Sequence, residues 1–143
     1  MRLINFEPEH LLWVMDVSKN VPREQDDLEA LAERAKTKGP CLTLIGEDGQ
    51  TLACGGLSMM FKHSAEMWVR LSNKAGPHAV REIKCQVYRW IETLHLDRLQ
   101  ATGPVSWEAL PRWWTWLGLH KEAVLEKYGP YGEDYFMYAW VRK

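Results

Sequence analysis

Residues 66–95 constrain this chain more than any other stretch. EMWVRL (66–71) is a short β-prone run, SNKAGPH (72–78) is a polar loop containing Gly76 and Pro77, and a helical pattern runs from about Ala79 to His95. In that pattern Val80, Ile83, Val87, Ile91 and Leu94 share one stripe, while Arg81, Glu82, Lys84, Arg89 and Glu92 lie off it. This is the period of a helix with one face on a core. RLQAT (98–102) reads as the next strand. A helix joining two strands of one sheet makes a crossover between parallel neighbours.

The flanking segments demand antiparallel pairing instead. Two β-prone runs, within CLTLIGEDGQTLACGGLSMM, flank Gly46-Glu47-Asp48-Gly49-Gln50, and Asp-Gly favours the positive dihedrals of a hairpin turn. Lys62-His63-Ser64-Ala65 reads as a second turn, and Gly129-Pro130-Tyr131-Gly132 joins two C-terminal strands into a hairpin. Gly55-Gly56 is expected to end its strand in a bulge or tight turn. Residues 1–5 read as a short strand. Pro8 suits the first turn of a helix through EHLLWVMDVS. A second helix is expected over 21–38, with Leu28, Leu31, Ala32 and Ala35 at helical spacing and Gly39-Pro40 as its stop. SWEALPRWWTWLG reads as a short helix entered at Pro111 and closed by Gly118. The order β-α-α-β-β-β-α-β-α-β-β gives an α/β domain over 1–143, with a mixed, mostly antiparallel sheet and helices on both faces.

That order resembles the Gcn5-related N-acetyltransferase (GNAT) family, and two stretches carry the resemblance. RWWTWLGLHKEAVLEKYG is similar to the family's C-terminal signature, with Leu117, Gly118 and Leu119 at its Leu-Gly-aromatic places. MWVRLSNKAGPHAVREIKCQVYRWI resembles the family's strand, phosphate loop and long helix. The resemblance implies acetyl-CoA as cofactor and transfer of its acetyl group to an amine. Backbone groups of Val69 and Leu71 would hold the pantetheine arm, and Lys74, Ala75, Gly76, His78 and Ala79 the pyrophosphate. A helix N-terminus binds such an anion through unpaired N–H groups and a partial positive charge.

Two departures from the family pattern stand out. The family's loop is Arg or Gln, two residues, Gly, one residue, then Gly or Ala. Here Lys74 replaces the first residue and Pro77 the central glycine, and proline has no N–H to donate. Trp114 stands where many members carry a catalytic Tyr, and an indole N–H is a donor but not a usable acid. Glu66 is the candidate base for the acceptor amine; the alternative is a solvated strand-end carboxylate. His78 either reaches a phosphate or is an exposed loop histidine. The same segments, with YGPYGEDYFMYA, look similar to small acetyltransferase-like proteins of tailed bacteriophages. In short-tailed phages one branch of these comprises internal virion or assembly proteins. A noncatalytic protein-binding role is therefore the alternative function.

Composition narrows the partners. The formal net charge is −1, which argues against duplex nucleic acid. No apolar run approaches the ~20 residues that span a bilayer, and the acidic N-terminal segment does not read as a secretory signal. Cys41, Cys54 and Cys85 have no CxxC spacing and are expected to be reduced, with a cytoplasmic location or, if phage-encoded, the host cytoplasm or virion. His10, His63, His78, His95 and His120 show no metal-binding spacing, so no metal is expected. Trp113, Trp114 and Trp116 are either core or a face for a protein partner or a second copy, with at least one indole partly exposed.

Overall fold

The computed structural model describes residues 1–15 and 28–143. Its elements are β1 (Arg2–Asn5), α1 (Pro8–Met15), α2 (Leu28–Lys38), β2 (Cys41–Ile45), β3 (Thr51–Phe61), β4 (Ser64–Leu71), α3 (Pro77–Thr93), β5 (Arg98–Pro104), α4 (Leu110–Leu117), β6 (His120–Leu125) and β7 (Tyr135–Val141). The expected helical stretches at 16–18 and 21–27 lie outside the described residues, as do the side chains of Leu28, Leu31 and Ala32.

Among the described residues seven strands form one sheet in the order β1-β2-β3-β4-β5-β7-β6, in which only β4 and β5 are parallel neighbours. The hairpin glycines behave as their sequence implies. Gly49 takes a positive φ of 83° and donates to Gly46 C=O, a conformation that costs glycine little.

Gly55-Gly56 does not end a strand, contrary to the sequence expectation: both lie inside β3. Close packing explains them. A Cβ on Gly56 would collide with Pro40 C=O and with Cys41 of β2, and one on Gly55 would meet Trp68 C=O of β4. The glycines serve strand approach rather than a turn.

Strand alternation sorts side chains onto two faces. Leu57, Ala65, Met67, Leu99, Ala101 and Tyr138 meet Val87 and Ile91 of α3 and Leu110, Trp114 and Leu117 of α4 in the main core. Cys54 and Trp68 meet Phe6, Leu11 and Val14 on the α1 side. His10 anchors α1, its Nδ1 accepting from Glu7 N–H (3.0 Å) and lying 2.8 Å from the Thr43 hydroxyl.

The Trp-rich helix divides its indoles. Trp114 is buried against Tyr138, Trp113 is half-buried beside Trp107, and Trp116 is 44% exposed with Lys84 over its ring. Gly118 ends α4 at φ 98°, and the α4 C-terminus is tied to α3 by Tyr88 donating to Leu117 C=O (2.7 Å) and Lys84 donating to Trp116 C=O (2.9 Å). Trp114→Ala should lose about 3–5 kcal/mol in denaturant unfolding, whereas Trp116→Ala should lose under about 1 kcal/mol. Equal losses would contradict this division of burial.

Candidate cofactor and acceptor site

The site begins where β4 and β5 part. They pair only at Ser64↔Arg98, Ala65↔Leu99 and Glu66↔Gln100, although β4 continues to Leu71 and β5 to Pro104. Beyond Glu66 the two strands enclose a notch. β4 stays paired with β3 on its other side, and β5 with β7.

The direction of the β4 peptide groups follows from one bond. Ser72 N–H donates to Leu52 C=O at 2.8 Å, so residue 72 points toward β3. Peptide direction alternates along a strand, so Val69 and Leu71 turn their N–H and C=O groups into the notch. These are the two backbone positions expected to hold a pantetheine arm.

A tight turn carries the chain from β4 to α3. Ser72 C=O accepts from Ala75 N–H (3.0 Å), and Ser72 Oγ accepts from Lys74 N–H (3.1 Å). The N–H groups of Lys74 and Ala75 are thus occupied internally. The exposed Lys74 leaves its ammonium for a ligand, and Ala75 packs its methyl beside Leu44 and Ala53. Gly76 is the N-cap, Pro77 opens the helix two residues before the expected start, and Val80 N–H closes the first turn on Gly76 C=O at 3.2 Å. No side chain caps this end, and no acidic residue stands in its first turn. The N–H groups of His78 and Ala79 are therefore left at the positive end of a 17-residue helix. A Cβ on Gly76 would meet nothing within 4 Å. The loop is open at that point.

On the α1 side of the sheet, β4 presents Glu66, Trp68 and Arg70. Glu66 is half-buried where the notch opens; burial raises its carboxyl pKa, and Lys38 offsets part of the rise. Arg70 stands further along the notch. Its Nη1 donates to Val69 C=O at 3.0 Å, and burial lowers its pKa. Tyr135, at the start of β7, faces the same side through its register with Pro104. Burial raises its phenol pKa, with Glu133 adding to the rise and Arg70 opposing it. The sequence reading missed Arg70 and Tyr135, although the two-residue period of EMWVRL already places Arg70 on the face of Glu66.

Trp114 does not enter this side. It lies in the α4 core, its indole N–H buried without a partner. A small apolar pocket under α3, lined by Leu42, Gly55, Met67, Val69, Ile83 and Val87, lies across the sheet from Glu66 and Arg70.

The three thiols are free. Burial pushes Cys54 up to about 12, so it is a neutral core group rather than a nucleophile. Iodoacetamide should label the exposed Cys85 of the folded protein and leave Cys54 unlabelled until denaturant is added, as read by mass spectrometry of peptides. Early labelling of Cys54 would contradict its burial. Among the described residues there is no group of three His, Cys, Asp or Glu side chains that could hold a metal ion, and no helix is long and apolar enough to cross a membrane.

No protein-family model matches the chain, and no curated protein sequence matches it with significance. Solved structures do match it in fold. A variant of the spermidine N-acetyltransferase of Vibrio cholerae superposes with a TM-score of 0.75 at 12% identity, covering 99% of this chain and 95% of that one. A GNAT-family acetyltransferase from Bacillus anthracis gives a TM-score of 0.72 at 19% identity, with 99% and 95% covered. The chain has the GNAT fold.

Proposed function

We propose that this protein is an acetyl-CoA-dependent N-acyltransferase. One observation carries the reading: the notch-facing peptide groups of Val69 and Leu71 lead directly to the uncapped N-terminus of α3. A linear amide-bearing arm ending in a pyrophosphate matches such a strand edge followed by a helix end. The open space at Gly76 lets a phosphate approach the backbone. The residues present therefore fit the cofactor.

Val69 and Leu71 would hold the arm, and the His78 and Ala79 N–H groups with the Lys74 ammonium would hold the pyrophosphate. When bound, acetyl-CoA supplies an activated acyl carbon and a thiolate leaving group. Glu66 takes the proton from the acceptor amine as its nitrogen attacks. The raised Glu66 pKa suits a base working near neutral pH. Thiols are far stronger acids than alcohols or water, free cysteine titrating at about 8.5, so a thiolate leaves without strong assistance, and Trp114 in place of an acid is tolerable.

The loop is degenerate at one point. Pro77 occupies the first helical position and gives no N–H there. A hydrogen bond to a charged group contributes about 1.5–3 kcal/mol, or roughly ten- to a hundred-fold in affinity. Calorimetry should show Pro77→Ala binding acetyl-CoA tighter by that factor. Equal affinities would show that the missing donor is immaterial.

Glu66→Gln separates base from bystander. Transfer should fall by about 10²–10⁴-fold, and the wild-type rise in kcat/KM with pH through the Glu66 pKa should flatten. The stability effect has the opposite direction. A carboxyl whose folded pKa is raised favours the fold below its unfolded pKa and loses that contribution as pH rises through the folded pKa. At pH 7 the Gln variant should therefore be as stable as wild type or more so. An active, pH-responsive Gln variant would remove Glu66 from the chemistry.

A second reading, a noncatalytic bacteriophage virion or assembly protein, draws on one observation: Trp116 is exposed beside Arg112 and Lys84. Trp and Arg are frequent interface anchors. This reading expects no acetyl-CoA binding by calorimetry, together with self-association that Trp116→Ala weakens in light scattering.

A further inference from the structure

Among the described residues Arg70 has no counterion: no carboxylate lies within ion-pair distance of it. The described groups whose charge would act on it are Cys54 and Tyr135. Both are neutral near pH 7, since burial holds the thiol at about 12 and raises the phenol. A guanidinium has five N–H donors; among the described residues Arg70 makes one hydrogen bond, to Val69 C=O of the neighbouring peptide. Among the described residues the buried side-chain nitrogens without partners are all tryptophan indoles, so the remaining Arg70 donors are not wholly sealed from solvent. Setting a half-buried arginine on the sheet with no counterion among the described residues disfavours the fold, and the arrangement makes chemical sense when an anion arrives from outside.

Its position states which anion. Arg70 and Glu66 share the α1-side face of β4 and lie about 13 Å apart along the strand. Both side chains lie on the same face of the strand that borders the notch, so an amine near Glu66 and an anion near Arg70 can belong to one small molecule. Tyr135, on β7 behind β5, adds a neutral hydroxyl donor on the same face of the sheet. A planar fork of donors with a phenol beside it matches a carboxylate. Val69 C=O keeps a second lone pair while accepting from Arg70, so the cofactor arm and the Arg70 fork need not compete for it.

We propose that Arg70, with Tyr135, is the subsite that binds the carboxylate of the acceptor, and that the acceptor is a small amine bearing a carboxylate, not a polycation. This inference rests on the acyltransferase reading for the amine, but the anion site is testable without it. In the first arm, the Arg70 side-chain Nε resonance is followed by NMR during titration with N-acetylglycine, N-acetylglutamate and N-acetylphenylalanine and with their amides. At least one acid should give a saturable shift, the amides none, and Arg70→Gln should abolish acid binding. An Arg70 signal unmoved by every acid, or moved equally by the amides, overturns the proposal.

In the second arm, acetyl transfer is assayed with the common α-amino acids, their α-amides and spermidine. The acids should be preferred at least tenfold. Arg70→Gln should raise the acceptor KM by at least tenfold with the acetyl-CoA Kd unchanged, and Arg70→Lys should recover part of the loss. Preference for spermidine or the amides overturns the proposal while leaving the transferase reading intact. Saturable acid binding at Arg70 in a protein that does not bind acetyl-CoA removes the transferase reading and leaves the anion site standing.

Discussion

The parting of β4 from β5 after the Glu66–Gln100 pair is the constraint on which the rest depends. Inside a sheet, a strand edge normally meets another strand, because an unpaired buried peptide group costs about 1–3 kcal/mol. Here the Val69 and Leu71 edge faces a notch instead. The fold on either side holds that gap open. β3 fixes β4 along its length, β7 fixes β5, and α3 joins the two strands over 17 residues. Neither strand can swing across without breaking a full ladder of bonds.

The same strand separates two chemistries by parity. Backbone groups of β4 enter the notch, while Glu66 and Arg70 project on the α1 side. Met67 and Ala65 project into the main core on the other. A carboxyl group and a guanidinium are thus presented beside the notch without disturbing the packing under α3 and α4. The α4 core shows the converse arrangement. Trp114 is buried in that core, its indole N–H without a partner among the described residues, so this segment supports the sheet from the side opposite Glu66 and Arg70.

Much of this was legible in the sequence because it is local. The α3 stripe, the Asp48-Gly49 turn, the Gly118 stop and the loop at 72–76 depend on neighbours within a few residues, and they lie close to where they were expected. The exposure of at least one indole followed from the limited face of a short helix. Gly55-Gly56 was misread because its cause is nonlocal: Pro40, Cys41 and Trp68 crowd it from adjoining strands. The notch was not legible for the same reason, since the register between β4 and β5 is set by a crossover and by helix packing. Arg70 was legible by alternation, but the absence of a carboxylate beside it among the described residues required the neighbouring strands.

The central claim is that the backbone groups of Val69, Leu71, His78 and Ala79 hold the cofactor. Amide hydrogen exchange with and without acetyl-CoA, resolved to single residues, tests it most directly. The claim predicts slower exchange at Val69, Leu71, His78 and Ala79 on addition of the cofactor, with Leu57 and Leu99 in the sheet core unchanged. Unchanged exchange at those four amides, or protection confined to another surface, would contradict it.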